Sequence, residues 1–343
     1  MIKVGIIGYG LSGRIFHGAI INAVEGFEIK KIVTRNKDKK KQAESDIEDV
    51  TVVDSSEDVF QDTTIDLVVI STPNTMHFDL AKQAMEAGKH VVIEKPFTVT
   101  SQEGQMLLHI ANQTNRVLSV YQNRRFDSDF KTVKKIIESG ELGRLVEFES
   151  HFDRFRPDIK QNAWREDPLP GSGILYDLGA HLIDQALALF GMPDEVYGDV
   201  RFQRHGKVDD NFEVILYYPE LKVTLKSSAL VKEPLPRFIL QGTKGGYIKY
   251  GLDVQEDALR DDERPVDDAW GTEPESLWGV INTIEERRTV KSEQGDYRDF
   301  YRNVYNAIIK GEELAVKGQD GLNVIKIIEA VAQSNKEKRR VSM

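Results

Sequence analysis

The chain has 343 residues, too many for one ordinary hydrophobic core and suited to two domains. Its net charge of −10 argues against binding to nucleic acid or an anionic membrane. Without cysteine, it can have no disulfide, thiolate nucleophile or cysteine-ligated zinc. No signal sequence or membrane-length apolar run is apparent, so we expect a cytoplasmic protein that does not interact with membranes.

Strands and helices alternate along the first 121 residues. Apolar runs predict strands at residues 4–7, 29–33, 50–53, 66–70, 90–93 and 117–120. Helices are predicted at residues 15–24, 36–45, 78–87 and 101–114. This alternation is typical of an α/β domain with a doubly wound parallel sheet, so we assign residues 1–121 to the first domain.

The pattern changes in residues 122–343, which we assign to a second domain. Strands are predicted at residues 145–152, 212–218, 222–229, 238–242 and 247–250, and helices at 130–138 and 173–190. Closely spaced strands indicate an α+β domain with an open-faced, mostly antiparallel sheet. The acidic stretch 253–275 is interpreted as a solvated loop, with a lid or a subunit contact as the alternatives. A last helix, about residues 321–333, can pack back on the first domain.

A glycine-rich turn, Gly8-x-Gly10-x-x-Gly13, lies between the first strand and the first helix. The first glycine allows the tight turn, the second lets the backbone approach a pyrophosphate, and the third lets helix and strand pack closely. Leu11 and Ser12 lie inside the motif. Because the motif has this strand–helix context, we interpret it as a dinucleotide site rather than a plain turn.

The second strand ends in Thr34 and Arg35, where an NAD site usually carries an acidic residue. A hydroxyl and a guanidinium suit the 2′-phosphate of NADP, which arginine can bind bidentately. The sequence therefore favours NADP over NAD. The lysines that follow, residues 37, 39 and 40, are interpreted as a solvated charge run.

Two groups of residues suit acid–base chemistry. Lys95 follows a buried strand in Glu94-Lys95-Pro96, at the carboxyl end of the sheet, where ligands bind in such folds. Asp177 and His181 lie four residues apart on a predicted helix, where a carboxylate can orient an imidazole as an acid or base. Taken alone, this pair is more often a surface pair. A metal site is not expected, because no third ligand has suitable spacing.

With these motifs in the same order, the chain resembles the Gfo/Idh/MocA oxidoreductases, the glucose–fructose oxidoreductase and inositol dehydrogenase group, over its whole length. A fourth motif adds to the resemblance: Ser71, Thr72, Pro73 and Asn74, with His77. Within the family the chain most resembles NADP-dependent scyllo-inositol 2-dehydrogenases. The stretches carrying this are residues 8–13, 121–125, 154–157, 175–179 and 255–259.

The resemblance implies a Rossmann domain, a substrate and oligomerisation domain, and Lys95, Asp177 and His181 as catalytic residues that meet in a cleft between the domains. It implies hydride transfer between NADP and a cyclic polyol or sugar. It also implies a homodimer or homotetramer. The fourth motif would lie near the cofactor ribose and nicotinamide, although packing explains His77 equally well and a structural ion pair could explain Glu94.

Other residues are assigned to the cleft from their positions after the last strand of the first domain and in the second domain. Candidate ligands there are Asn123 for the cofactor and Arg124, Arg154, Trp164, Arg165 and Tyr176 for the substrate. For Trp164 a core position is equally plausible. The alternatives in function are another sugar dehydrogenase or reductase of the family, acting on an aldose or anhydroketose, and a dinucleotide-sensing regulator without catalysis.

Overall fold

The computed structural model describes residues 1–159 and 166–343. The chain divides into two compact units. The first comprises Met1–Asn123, Gln255–Trp270 and Asp296–Leu322. The second comprises Arg124–Val254, Gly271–Gly295 and Asn323–Met343. Of the helices in the described residues, none is both long and apolar enough to cross a bilayer.

A parallel sheet forms the core of the first unit and has six strands within the described residues, in the order β3-β2-β1-β4-β5-β6. The strands are β1 (Ile2–Ile7), β2 (Phe27–Val33), β3 (Thr51–Val53), β4 (Leu67–Ile70), β5 (His90–Glu94) and β6 (Leu118–Tyr121). Every residue of β4 is buried, as expected for a strand covered on both faces. The predicted doubly wound parallel sheet is confirmed.

Helices connect these strands: α1 (Ala19–Asn22), α2 (Lys37–Asp46), α3 (Glu57–Phe60), α4 (His77–Glu86) and α5 (Ser101–Thr114). Asn36 caps α2, because its side chain accepts hydrogen bonds from two backbone N–H groups of the first turn. The helix predicted at residues 15–24 differs from the structure. A π-helical turn, Ser12–Gly18, precedes α1, and α1 ends at Asn22.

The second unit contains a mixed sheet, with nine strands in the described part of the chain, in the order β14-β13-β12-β11-β7-β10-β9-β8-β15. The strands are β7 (Leu145–His151), β8 (Glu195–Arg201), β9 (Asn211–Tyr217), β10 (Lys222–Ser228), β11 (Phe238–Gly242), β12 (Gly245–Lys249), β13 (Gly279–Thr283), β14 (Arg287–Val290) and β15 (Val341–Ser342). Among the described strands of this second sheet, only the pairing of β7 with β10 is parallel. The mostly antiparallel sheet is confirmed.

The two faces of this sheet differ in burial. One cross-strand row contains Phe148, Leu240 and Tyr247, all buried. The next row, on the opposite face, contains Ile215, Thr224, Glu149, Ile239, Ile248 and Val280, which are paired in register across neighbouring strands. The isoleucines and the valine of that row are only half-buried. The sheet therefore has one core face and one partly exposed face with aliphatic character.

Helices α6 (Ser128–Ser139) and α7 (Ala180–Phe190) belong to the second unit. A π-helical turn, Leu175–Gly179, precedes α7, so the helix predicted at residues 173–190 is interrupted by a change in hydrogen-bond register. Such π turns often occur at functional sites. Here the turn carries Tyr176 and Asp177, and α7 carries His181.

Late segments of the chain also contribute helices: α8 (Gln255–Arg260), α9 (Arg298–Lys310) and α10 (Gly318–Glu337). Helices α8 and α9 belong to the first unit. Within the acidic stretch, Leu259 and Trp270 are buried, and the Trp270 indole N–H donates to the Gln255 side chain at 3.0 Å. The prediction of a solvated loop is therefore wrong for this part of residues 253–275, since these apolar side chains pack into a core.

Candidate active site

The glycine turn follows β1 and Ser71 follows β4, and these two strands are neighbours at the point where the strand order reverses. In doubly wound sheets, ligands bind at this switch point. Gly8 has φ +97°, and a Cβ on it would lie 2.5 Å from the carbonyl oxygen of Ser71. Only glycine fits there, because a side chain would collide with the segment that follows β4.

The other two glycines of the turn differ in what surrounds them. A Cβ on Gly13 would lie 2.1 Å from the carbonyl oxygen of Gly8, so the helix packs directly against the turn. At Gly10 the one neighbour within 4 Å of such a Cβ, among the described residues, is the ammonium nitrogen of Lys39, at 3.7 Å. The backbone at Gly10 is thus open to a ligand, with a cation beside it. This arrangement fits a pyrophosphate.

Thr34 and Arg35 lie at the end of β2, as predicted. The Thr34 side chain is buried, whereas Arg35 is exposed and its Nε donates to the carbonyl oxygen of Asp54 at 3.2 Å. Lys40 forms an ion pair with the Asp54 carboxylate at 2.8 Å. Lys39 is half-buried and its ammonium lies beside Gly10, which sets it apart from the exposed Lys37 of the same run. The end of β2 therefore presents hydroxyl and cationic groups near the glycine turn.

Lys95 is half-buried directly after β5, and the Lys95–Pro96 peptide bond is cis. His77, fully buried at the start of α4, lies between two backbone segments. Its Nε2 is 3.0 Å from the Thr72 carbonyl oxygen and its Nδ1 is 3.0 Å from that of Pro96. Burial lowers the pKa of His77. This ring links the segment after β4 to the turn that carries Lys95.

The rest of the segment after β4 is compact. Pro73 precedes a short 3-10 turn, Asn74–Met76, and Asn74 is 3% exposed. Ser71 and Thr72 are half-buried. Their hydroxyl oxygens are enclosed and make no hydrogen bond within the described residues. Polar groups of this kind, next to the glycine turn, are consistent with a bound polar ligand.

Glu94 is buried at the end of β5, and its carboxylate accepts hydrogen bonds from three directions. Oε1 accepts from the Ser12 hydroxyl and lies 3.1 Å from His17 Nε2, while Oε2 accepts from the Lys95 backbone N–H at 2.9 Å. Burial raises the pKa of Glu94, but its interactions with His17, Lys95 and Ser12 outweigh burial and lower the pKa to about 2. These contacts favour the structural interpretation of Glu94 over a direct contact with the ribose.

In the second unit, His181 is 5% exposed and stacks on Phe152, with ring centroids 6.4 Å apart and an interplanar angle of 25°. Asp177 is more accessible and lies 3.8 Å from the Arg154 guanidinium. The guanidinium carbons of Arg124 and Arg154 lie 5.0 Å and 5.2 Å from the Phe152 ring centroid. Candidate catalytic and substrate residues thus cluster around one aromatic ring.

The other predicted cofactor and substrate residues differ in burial and location. Asn123 and Arg124 lie in the 3-10 turn Asn123–Phe126, and both are buried. Tyr176 is half-buried in the π turn. Trp164 and Arg165 fall outside the described residues. Lys95 belongs to the first unit and Asp177 and His181 to the second, so their meeting at one substrate stays a prediction.

Two further residues of the first unit, His17 and Tyr301, were not predicted from the sequence, and their side chains are 2.5 Å apart. A histidine on an apolar helix face gives no specific signal, and Tyr301 lies 284 residues further along the chain. From the sequence, Asp184, a turn beyond His181, is expected to be a plain surface carboxylate; in the structure it is buried and forms a bidentate ion pair with Arg125 at 2.7 and 2.8 Å. No group of three or more potential metal ligands occurs in the residues that the structure covers.

Family models match both parts of the chain. Residues 2–122 match the NAD-binding Rossmann fold of the Gfo/Idh/MocA oxidoreductase family, and residues 134–343 match its C-terminal alpha/beta domain. The chain therefore belongs to the Gfo/Idh/MocA oxidoreductase family, and its N-terminal domain is an NAD-binding Rossmann fold. The predicted family and enzyme class are confirmed.

Individual relatives extend over the full length. The chain is 41% identical to scyllo-inositol 2-dehydrogenase (NADP(+)) IolW of Bacillus subtilis, covering 100% of this chain and 96% of IolW. It is 42% identical to the oxidoreductase YdgJ of Escherichia coli, covering 98% and 97% of the two chains. The solved structure of YvaA from Bacillus subtilis has a TM-score of 0.96 at 40% identity, covering 100% of this chain and 98% of YvaA.

Proposed function

We propose that this protein is an NADP-dependent oxidoreductase that interconverts a secondary alcohol of a cyclic polyol or sugar with the ketone, as scyllo-inositol 2-dehydrogenase does. The observation that carries the proposal is the 41% identity to that enzyme over the full chain. Lys95, Asp177 and His181, the residues expected to do the chemistry, are all present. The substrate is a small polyol or sugar.

The proposed chemistry removes a hydride from carbon and a proton from the hydroxyl. NADP⁺, when bound, supplies the hydride acceptor at C4 of its nicotinamide. His181 takes the hydroxyl proton during oxidation and returns it during reduction, and Asp177 orients the imidazole. The Lys95 ammonium donates a hydrogen bond to the reacting oxygen and stabilises the negative charge that develops there. Phe152 supports the His181 ring by stacking.

Three residues would distinguish NADP from NAD. Thr34, Arg35 and Lys39 provide a hydroxyl and two cations at the end of β2 and over the glycine turn. No acidic residue stands directly after β2, where an NAD site would use it to accept from the ribose 2′-hydroxyl. An arginine and a lysine near a 2′-phosphate favour the more negative cofactor.

We further propose a homodimer or homotetramer that uses the partly exposed face of the second sheet. The aliphatic row across β9, β11, β12 and β13 supports this, because exposed apolar patches commonly mark protein contacts. Neither nucleic acid nor membrane is expected as a partner, given the net charge of −10.

The deciding experiment is a screen of inositol isomers and aldoses with NADP⁺ and, separately, NAD⁺, following absorbance of the reduced nicotinamide. We expect the highest kcat/KM with scyllo-inositol and NADP⁺. Turnover only with an aldose or an anhydroketose substrate would instead favour another sugar dehydrogenase of the family. Binding of the cofactor without turnover of any polyol or sugar would favour the regulatory alternative.

A further inference from the structure

His17 is a buried titratable residue that the proposed chemistry does not use. It lies on the π-helical turn Ser12–Gly18, directly after the glycine turn, and is fully enclosed. Both of its ring nitrogens have polar partners. Nδ1 lies 2.5 Å from the Tyr301 hydroxyl oxygen and Nε2 lies 3.1 Å from Glu94 Oε1. A buried histidine with two such partners has a fixed orientation.

The partners determine where the protons lie. Glu94 is ionised and can only accept, so Nε2 of His17 must carry the proton that it shares with Oε1. Nδ1 faces the Tyr301 hydroxyl at 2.5 Å. That hydroxyl remains protonated, because burial, with the neighbouring Tyr121 and Glu94, raises the pKa of Tyr301. Both partners therefore fix the same ring orientation, with Nε2 facing Glu94 and Nδ1 facing the Tyr301 hydroxyl.

The Glu94 carboxylate also accepts hydrogen bonds from two segments of the candidate site, the glycine turn and the peptide at Lys95. The Ser12 hydroxyl, inside the glycine turn, donates to Oε1, and the Lys95 backbone N–H donates to Oε2 at 2.9 Å. One carboxylate thus joins the turn expected to bind the pyrophosphate to the peptide that positions the candidate catalytic lysine. We propose that His17 and Tyr301 are positioning residues that hold the Glu94 carboxylate in place, and through it the cofactor turn and Lys95.

The packing around His17 leaves little freedom for another arrangement. Its ring is 4.4 Å from the Tyr121 ring centroid on β6 and 6.1 Å, edge-on, from that of Tyr301 on α9. Tyr301 also packs against Phe300 and Phe27. A purely structural histidine would contribute stability alone. A positioning residue should also change cofactor affinity while the fold persists.

The test uses the full-length protein and measures NADPH binding by fluorescence without substrate. This inference rests on the proposed cofactor, so wild-type binding of NADPH is checked first. Failure of the wild type to bind would reject the proposed cofactor before any variant is compared. His17→Phe keeps a ring but removes both hydrogen bonds, and we expect about 10-fold weaker binding. Tyr301→Phe removes one hydroxyl, and we expect about 3-fold weaker binding.

Two further variants separate positioning from packing. Tyr305→Phe removes a hydroxyl one turn along α9 and should bind NADPH within about 2-fold of the wild type. His17→Gln restores a side-chain N–H that can donate to Glu94, and it should recover part of the affinity lost in His17→Phe. If folded Tyr301→Phe and His17→Phe proteins, as judged by circular dichroism, bind NADPH like the wild type, the proposal is overturned.

The tautomer provides a second readout that does not depend on the stability of any variant. Long-range ¹H–¹⁵N correlation spectra of histidine-labelled wild-type protein report which ring nitrogen carries a proton. The His17 signal is assigned by its loss in either His17 variant. We expect a proton on Nε2 near neutral pH, and an unprotonated Nε2 would overturn the proposal.

Discussion

At the residue scale, Arg35 is the side chain most directly tied to the choice of cofactor. Its Nε donates a hydrogen bond to the carbonyl oxygen of Asp54, and this bond holds the guanidinium group at the end of β2. We expect Arg35→Asp to raise the KM for NADP⁺ by roughly 100-fold and to change the KM for NAD⁺ far less, because a carboxylate repels a 2′-phosphate. Steady-state kinetics with both cofactors measure the two effects. Equal losses with both would reject the assignment.

Lys39 allows a paired comparison on one helix. Its ammonium lies beside Gly10, whereas Lys41 is exposed on the same helix. Lys39→Ala should weaken NADP⁺ binding several-fold, and Lys41→Ala should leave it nearly unchanged, because an exposed charge contributes little. Titration of NADPH fluorescence measures both. Equal behaviour of the two variants would assign Lys39 to the solvated run after all.

Lys95 and His181 are the residues on which the proposed hydride and proton transfer can be tested. Each alanine variant should lower kcat by at least about 100-fold, because each removes a group that we propose acts on the reacting hydroxyl or its proton. The affinity for NADPH should change only modestly. Lys134→Ala, on the exposed side of α6, is the control. Near-normal turnover in either test variant would remove that residue from the catalytic assignment.

Some residue positions could be predicted from the sequence and others could not. The glycine turn and the Glu94-Lys95-Pro96 motif were visible because their spacing and chain context are local. The partnership of His17 with Tyr301 was not, because it joins residues 284 positions apart and neither has a local signature. The position of the Lys39 ammonium beside Gly10 depends on the direction of α2 relative to β2, and the run of lysines in the sequence does not reveal that direction.

At the element scale, two glycines of the glycine turn should have different roles, Gly13 in the stability of the fold and Gly10 in binding of the cofactor. A Cβ on Gly13 would strike a backbone oxygen, so Gly13→Ala should lower the stability by about 2 kcal/mol or more. A Cβ on Gly10 would meet no described residue closer than 3.7 Å, so Gly10→Ala should unfold at nearly the wild-type temperature and yet bind NADPH poorly. Thermal unfolding and fluorescence titration test the pair. Normal NADPH binding by Gly10→Ala would contradict a pyrophosphate at this turn.

The π-helical turn Leu175–Gly179 begins beside the buried carboxyl group of Asp209. Asp209 Oδ2 accepts from the Leu175 N–H at 2.8 Å, and burial, opposed by this hydrogen bond, raises the pKa of Asp209 to about 6. The folded-state pKa exceeds the unfolded value of about 3.9, so the folded state binds more protons between these values. Protonation of Asp209 therefore stabilises the fold as the pH falls through this window.

Comparison with Asp209→Asn isolates that contribution, because other groups titrate in both proteins. The unfolding temperature of the wild type, relative to the variant, should rise as the pH falls from about 6 to about 4. Thermal unfolding followed by circular dichroism at several pH values measures the difference. A difference that stays constant, or falls, over this range would contradict the raised pKa.

The elements themselves were predictable to different degrees. The strands of the first unit were found because covered parallel strands are continuous apolar runs. In the second unit β8, β13 and β14 were missed, since strands such as Glu195–Arg201 alternate weakly and carry charges on the exposed face. The two π-helical turns were not predicted because a shift in hydrogen-bond register has no distinct hydrophobic period.

At the scale of the whole molecule, the partly exposed face of the second sheet predicts assembly. Ile248→Asp places a charge in the middle of the half-buried aliphatic row, so it should shift the protein towards its monomer mass of 38.9 kDa. Ile284→Asp is the control, because Ile284 is already 85% exposed in the same unit. Light scattering after gel filtration measures both. A wild-type protein that is itself monomeric would contradict the proposed contact.

Helix α9 of the first unit is formed by residues near the end of the chain, so the first unit cannot be complete until those residues have been synthesised. When the ribosome has released the six strands of the Rossmann sheet, Tyr301 and Phe300 have not yet been made. Until then His17 and Tyr121 lack the aromatic side chains that enclose them in the finished protein. The cofactor domain is therefore completed only late in translation. A fragment that stops after β6 should expose apolar surface to chaperones and proteases.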